Sequence, residues 1–165
     1  MVLNDPQVAV DAEAEAVGPA ISIERLAGLK GDAGRRAAAG FALVLAESFG
    51  VDGARRAAME VETIAMLDRP EIGGCLVSVD GEPAAVAKRT TFDGASYLSS
   101  IGTRPVFRGR GLGRLATAAA TVDAVLTGSR WTYLGVFSEN EAARRLYRRL
   151  GYDEIGGPAP DLMLR

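Results

Sequence analysis

The glycine- and arginine-rich segment Arg108–Arg114 (RGRGLGR) constrains the fold more than any other part of the chain. A β-prone apolar run, residues 96–103, precedes it, and an alanine-rich run with helical spacing follows it. Glycines at alternate positions allow a sharp turn and let backbone N–H groups approach a ligand closely. At the start of a helix, these donors coincide with the positive end of the helix dipole, which favours a phosphate. We therefore expect a phosphate-bearing ligand to bind between a strand and a helix.

Two familiar phosphate-binding loops do not match this segment. A P-loop requires Gly-x-x-x-x-Gly-Lys-Ser/Thr, and neither lysine of the chain is so placed. A dinucleotide-binding loop requires Gly-x-Gly-x-x-Gly, and its last position, counted from Gly109, is occupied by Arg114. The segment instead has the spacing Arg-x-x-Gly-x-Gly, formed by Arg108, Gly111 and Gly113.

A second motif occupies residues 140–152. Asn140 is a suitable helix N-cap and Gly151 a suitable C-terminal stop, so the spacing predicts a helix of about three turns between them. Apolar residues recur every four positions and should face the core. Asn140 and Tyr147 share a different face of this helix, about two turns apart. A β-prone run, residues 131–136, precedes the motif.

Together the two motifs resemble those of the GCN5-related N-acetyltransferase (GNAT) superfamily. The first is similar to the loop that binds the pyrophosphate of coenzyme A, and the second to the helix that follows the fifth strand of the family. The resemblance covers about residues 84–156. It implies a single-domain α/β fold in which helices flank both faces of a mixed, mostly antiparallel sheet. It also implies direct transfer of an acetyl, or other short acyl, group from acetyl-CoA to a primary amine, without a metal ion.

Roles for individual residues also follow from the resemblance. Tyr147 would act as the general acid toward the departing thiolate, since a phenol with a pKa of ~10 is not ionised at rest. Backbone N–H groups of the loop would bind the pyrophosphate, and the strand before the loop would pair with the pantetheine arm. The implied cofactor-binding residues are Ile101, Gly102, Thr103, Arg108, Gly109, Arg110, Gly111, Leu112, Gly113, Arg114, Asn140 and Arg144.

The group that accepts the proton of the amine is not evident. In the ribosomal-protein alanine N-acetyltransferases, a glutamate of the fifth strand stands where this chain has Gly135. Other relatives have a carboxylate on the fourth strand, and residues 95–103 contain none. A water chain ordered by Ser99, Ser100 or the backbone is the expected substitute, with Glu60 and Glu62 as remote candidates. Without a strong base, we expect α-amino groups (pKa ~8) to react better than lysine side chains (~10.4).

The composition excludes several other classes of site. The chain has no histidine, which removes Ser-His and Cys-His nucleophiles and the usual zinc sites. Its single cysteine, Cys75, cannot form an internal disulfide and lies in a predicted strand, so we expect buried packing and a cytoplasmic location. No apolar run approaches the length of a membrane span, and a secretion signal is not evident, so no membrane partner is expected.

Charge is unevenly distributed along the chain. Residues 1–19 carry four acidic residues and no basic one, and we predict a mobile acidic tail followed by an acetyltransferase domain over residues 20–165. Residues 104–149 hold nine arginines against three acidic residues. A nucleic-acid groove would be basic too, but no aromatic interleaving accompanies the arginines, so nucleic acid is not an expected partner. A non-catalytic acyl-CoA-binding module is the second interpretation, and a homodimer is left open.

From residue 20 onward, the predicted order of elements is β-α-α-β-β-β-α-β-α-β-β. The first strand is expected at residues 20–26, and two helices at about 32–49 and 52–67, capped by Asp32 and Asp52. Asp80-Gly81 predicts a hairpin turn. The final strands are expected at residues 152–156 and 161–165. On the second helix, the residues predicted to face the core are Ala57, Val61, Ile64 and Ala65.

Overall fold

The structure is a computed structural model that describes residues 1–16 and 20–156. Its helices are α1 (Pro6–Ala16), α2 (Gly31–Phe49), α3 (Gly53–Met66), α4 (Leu112–Leu126) and α5 (Glu141–Arg148). Its strands are β1 (Val2–Leu3), β2 (Ile21–Arg25), β3 (Ile72–Val79), β4 (Glu82–Phe92), β5 (Ala95–Thr103), β6 (Trp131–Leu134) and β7 (Tyr152–Asp153). A turn of 3₁₀ helix, Pro105–Phe107, connects β5 to the glycine-rich loop.

The described strands form one sheet in the order β2-β3-β4-β5-β6-β1-β7. Neighbouring strands are antiparallel except β5 and β6, which run parallel. Helix α2 packs on one face of β3, β4 and β5 and carries α3 on its outer side. Helix α4 covers the opposite face, with α1 packed against it. The predicted single-domain α/β fold, with helices on both faces of a mostly antiparallel sheet, is confirmed.

The alanine-rich sequence of α4 brings this helix close to the sheet, because small side chains allow a short distance between the two backbones. Ala116, Ala118 and Ala119 are fully buried there. The Cys75 thiol donates to the backbone carbonyl of Ala116 at 3.1 Å. Burial raises the pKa of Cys75 to about 12, so its thiol stays protonated. The prediction that Cys75 packs in the core is confirmed.

The hairpin turn and one of the two predicted helix caps are confirmed. Asp80 and Gly81 both have positive φ angles, 51° and 80°, as the tightest hairpin turns require. The side chain of Asp52 accepts a hydrogen bond from the backbone N–H of Arg55 at 2.8 Å. Helix α2, in contrast, begins at Gly31 with Lys30 as its N-cap, so Asp32 lies within its first turn and does not cap it.

The prediction of a mobile N-terminal tail is wrong for residues 2–16. Val2 pairs with Tyr133 of β6 and with Asp153 of β7, so β1 lies between these two strands. Ala9 and Ala12 of α1 are buried against α4. Alanine contributes little hydrophobic signal, and a two-residue strand shows no alternation, which explains why the sequence pattern was not informative here.

The predicted core face of α3 is also wrong. Thr63 and Met66 are its buried residues, because α3 packs against α2 and turns a different face inward. The predicted strand at residues 161–165 lies outside the described residues. Among the described residues, no helix combines the length and the apolar character needed to cross a membrane. The residues predicted to be inward but found exposed are Ala57, Val61, Ile64 and Ala65.

Candidate active site

Strand β5 and the chain that follows β6 stop pairing after Leu98 and Leu134, which leaves an opening between them. The two parallel strands pair from Ala95 opposite Trp131 to Leu98 opposite Leu134, and no further. On its other side, β5 pairs with β4 but changes register between residues 99 and 102. Ser100, within this irregularity, has a φ of 50°. Residues 99–103 of β5 therefore present an edge that lacks a strand neighbour among the described residues. We call this opening the wedge.

The glycine-rich loop brings a row of backbone donors to the start of α4. Gly109 and Gly111 have φ angles of 77° and 78°, in the region that favours glycine. Gly111 is the N-cap of α4 and has no side chain to bond the first turn. Among the described residues, no acceptor pairs with the N–H groups of residues 109–114. These free donors and the helix dipole make this end of α4 suitable for an anion.

Gly113 permits the N-terminus of α4 to approach the end of β5. A Cβ atom at this position would come within 2.8 Å of Oγ1 of Thr103. Gly111 has open space around it instead, and only its φ angle disfavours a side chain. The two glycines of the predicted motif thus meet different requirements, a backbone conformation at Gly111 and a close approach at Gly113.

Arg104 and Arg108, beside the loop, bond to residues of neighbouring elements of the fold. Arg104 pairs with Glu47 at 2.8 Å and Glu82 at 2.7 Å, and thereby joins β5 to α2 and β4. Arg108 donates from its guanidinium to the backbone carbonyl of Ser48 at 3.1 Å, and its own N–H donates to a carbonyl of the 3₁₀ turn. The N–H of Arg108, which the resemblance to the acetyltransferases assigned to the cofactor, therefore has a partner within the protein.

Arg110 and Arg114 differ from these arginines. Within the described part of the chain, neither forms an ion pair with a carboxylate. The guanidinium of Arg110 lies 5.6 Å from the centroid of the Phe107 ring. They are the uncompensated positive charges beside the free N–H groups, and they add to the attraction of this end of α4 for an anion.

Helix α5 has Asn140 as its N-cap and carries Arg144, and both residues make contacts within the protein. The side-chain oxygen of Asn140 accepts a hydrogen bond from the backbone N–H of Ala143 at 3.1 Å, so the predicted cap is confirmed. Arg144 pairs with Glu141 and Glu154, and its pKa is raised, chiefly by the hydrogen bond to Glu154. The charge of Arg144, another predicted cofactor-binding residue, is thus largely neutralised.

Tyr147 is a buried residue of α5. The residue is 7% exposed, and its ring meets the edge of Tyr152 with centroids 6.3 Å apart. The Tyr147 hydroxyl has no hydrogen-bond partner among the described residues. Burial, with a smaller contribution from the nearby Tyr97, raises the pKa of Tyr147 to about 12. The phenol is therefore an un-ionised donor at any physiological pH.

Tyr97 approaches Gly135 at the mouth of the wedge, a contact that the sequence pattern did not indicate. A Cβ atom on Gly135 would lie 3.4 Å from the hydroxyl oxygen of Tyr97. Tyr97 is opposite Tyr133 in the register of β5 and β6, and their ring centroids are 5.1 Å apart. The alternation of β5, which directs Tyr97 and Ser99 to the same face, is the signal that could have drawn attention to it.

The other candidates for the base are placed differently. Ser99 lies opposite Lys88 of β4, within the wedge edge of β5. Glu60 and Glu62 lie on α3, which packs mainly against α2, and Glu62 pairs with Arg55 at 3.3 Å. Within the described residues, the acidic side chains and Cys75 nowhere form a group of three or more that could hold a metal ion.

Comparison with known families and sequences gives a family match. The model of the acetyltransferase (GNAT) family matches residues 43–152, which contain the glycine-rich loop and Tyr147. The comparison with curated protein sequences gives no significant match.

Several solved structures share this architecture. The aminoglycoside N-acetyltransferase AAC(6′)-Iy, in complex with CoA, is 16% identical over 87% of this chain and 95% of its own, with a TM-score of 0.70. A ribosomal-protein alanine N-acetyltransferase from Escherichia coli is 21% identical over 82% of this chain and 79% of its own, with a TM-score of 0.62. A GCN5-related N-acetyltransferase from Kribbella flavida is 26% identical over 83% of this chain and 48% of its own, with a TM-score of 0.58.

Proposed function

The chain belongs to the GNAT family of acetyltransferases, whose co-substrate is acetyl-CoA, and from this premise we propose that it acetylates a primary amine by direct attack. The observation that carries the proposal is the Tyr147 hydroxyl. It is un-ionised and has no hydrogen-bond partner among the described residues, and it lies on the helix whose N-cap is Asn140. A phenol of this kind is suited to stabilising a leaving thiolate.

The residues around the wedge fit the co-substrate. The free N–H groups of residues 109–114, with the charges of Arg110 and Arg114, suit the two anionic groups of a pyrophosphate. The open edge of β5 at residues 101–103 suits the amide groups of the pantetheine arm, which can pair with a strand edge. We assign the amide of Asn140 to the same arm. Acetyl-CoA supplies the thioester carbonyl that a neutral amine attacks.

Tyr147 would assist the departure of the thiolate by donating a hydrogen bond. A thiol has a pKa of ~8.5, and complete proton transfer from a phenol of pKa about 12 is uphill by roughly 5 kcal/mol. The raised pKa thus favours a hydrogen bond to the sulfur over a complete transfer. In the overall reaction the amine releases one proton and the thiolate takes up one, so the proton count balances.

A second candidate function is a non-catalytic module that binds acyl-CoA. The observation in its favour is the absence of a carboxylate at position 135 and in residues 95–103, where relatives have a base. Such a module would still need the loop and the strand edge, but it would not need the Tyr147 hydroxyl.

An amine screen distinguishes the two candidates. The protein is incubated with acetyl-CoA and, in turn, an aminoglycoside, a peptide with N-terminal alanine, and a peptide with a blocked N-terminus and one lysine. Free thiol is followed spectroscopically, and the acetylated amine by mass spectrometry. We expect thiol and acetylated product in equal amounts with at least one amine. Binding of acetyl-CoA in calorimetry, without turnover of any amine, would favour the module.

A further inference from the structure

The space that a side chain at position 135 would occupy faces a phenol. Gly135 directly follows β6, two positions after Tyr133, whose side chain lies on the same face of the sheet as Tyr97. Tyr97 lies directly opposite Tyr133 and extends beyond it, so that its hydroxyl oxygen is 3.4 Å from the Cβ position of Gly135. The place where relatives have a glutamate is therefore bordered by the oxygen of Tyr97.

Packing fixes the Tyr97 ring, while the Tyr97 hydroxyl remains available for proton exchange. Packing against the Tyr133 ring, at 5.1 Å between centroids and 38° between planes, restricts its rotation. Tyr97 is 39% exposed, and its hydroxyl has no hydrogen-bond partner among the described residues. An oriented hydroxyl without a partner can both accept a proton and release its own.

The surroundings of Tyr97 contain no competing carboxylate on the adjacent strands. Strands β5 and β6 carry no acidic residue, and on β4 the charged residue on the same face is Lys88, opposite Ser99. Tyr147 is close enough that Tyr97 contributes to the elevation of its pKa. The wedge thus has two phenols. Tyr97 can exchange a proton with the amine, and Tyr147 can donate a hydrogen bond to the sulfur.

We propose that the Tyr97 hydroxyl oxygen accepts the proton of the attacking amine, in place of the carboxylate that position 135 lacks. This inference rests on the proposed function. The amine nitrogen bonds to the acetyl carbon, and the C–S bond breaks with its electron pair moving to sulfur. As the Tyr97 oxygen takes the proton from nitrogen, its own hydroxyl proton passes to water. The thiolate, hydrogen-bonded to Tyr147, takes up one proton from water, so that Tyr97 ends unchanged.

The test begins with Tyr97→Phe, which retains the ring and removes the oxygen. With the amine that the wild type turns over fastest in the screen, we expect kcat to fall ~10²-fold while the KM for acetyl-CoA is unchanged. Tyr133→Phe is the matched control, because it removes a hydroxyl from the other ring of the same pair. We expect it to retain kcat within a factor of about two, since that oxygen lies off the proton path.

A rescue separates a chemical role from a structural one. Gly135→Glu in the Tyr97→Phe background places a carboxylate in the vacated space, and Gly135→Gln places an amide of the same size. We expect the glutamate to restore kcat at least ~10-fold and the glutamine to restore none, with restored activity falling as pH drops through the carboxylate pKa.

The outcomes are distinct. Wild-type turnover by Tyr97→Phe, or equal rescue by glutamate and glutamine, overturns the role of Tyr97 and leaves the proposed function intact. Absence of turnover by the wild type with every amine in the screen overturns the proposed function, and this inference with it.

Discussion

Gly113 and Thr103 lie so close that a Cβ atom on the glycine would come within 2.8 Å of the threonine Oγ1. This contact joins the N-terminus of α4 to the end of β5. The free N–H groups of the loop and the open strand edge are consequently adjacent, as a ligand with a pyrophosphate at one end and an amide-bearing arm requires.

The different environments of the glycines give a test of the loop. Gly111→Val would place a side chain among the free N–H groups, and we expect the affinity for acetyl-CoA, measured by calorimetry, to fall at least ~10-fold. Gly128→Val is the matched control, because Gly128 also has a positive φ and open surroundings but ends α4. Equal losses of affinity in the two variants would contradict the assignment of the loop.

Gly113→Val should behave differently from Gly111→Val. Its side chain would press against Thr103, and overpacking of this kind should lower the free energy of unfolding by about 1–3 kcal/mol. We expect this loss of stability in addition to weaker binding of acetyl-CoA. Thermal unfolding without ligand measures this effect. A Gly113→Val variant as stable as the wild type would mean that the contact relaxes without cost.

Removal of the Tyr147 hydroxyl tests its proposed role. We expect Tyr147→Phe to lower kcat ~10²-fold with little change in acetyl-CoA affinity, because only the donor to the leaving sulfur is lost. Tyr152→Phe is the control, since the Tyr152 hydroxyl bonds to Thr121 at 2.7 Å in the core. That variant should lose about 1 kcal/mol of stability and retain its kcat. Unchanged turnover by Tyr147→Phe would remove this residue from the mechanism.

The pH dependence of kcat/KM should follow the amine. Because Tyr147 has a pKa raised to about 12, it stays protonated and causes no falling limb below about pH 11. The rate should rise with pH and level off near the pKa of the free amine. At pH 7, an α-amino group of pKa ~8 is neutral roughly 200 times more often than a lysine of pKa ~10.4, so N-terminal alanine should react faster. Efficient lysine acetylation at neutral pH would argue against this.

The packing of α1 can be tested by introducing charge. We expect Ala9→Asp to destabilise the protein by several kcal/mol, because Ala9 is fully buried against α4 and a buried carboxylate would lack a partner. Ala14→Asp, at an exposed position of the same helix, should change stability by less than ~0.5 kcal/mol. Urea unfolding measures both. Similar stability of the two variants would mean that α1 does not pack against α4, as the prediction of a mobile tail requires.

Features that depend on near neighbours in the chain were predictable. The glycine-rich loop at the start of α4, the Asn140 cap, the Asp52 cap and the turn at Asp80-Gly81 all appear where the sequence indicated. Each follows from the φ angles, caps and periodicity of a few consecutive residues. The order of the elements from β2 to β7 follows from these local signals too.

The partners of side chains were decided by the tertiary structure. Arg144, which the resemblance assigned to the cofactor, meets Glu154, and Arg104 joins β5 to Glu47 of α2. Tyr97 reaches the space beside Gly135 although the two residues are far apart in the chain. A sequence pattern specifies which face a residue takes on its own element. It does not specify which other element comes to cover that face, because that depends on how sheet and helices pack together.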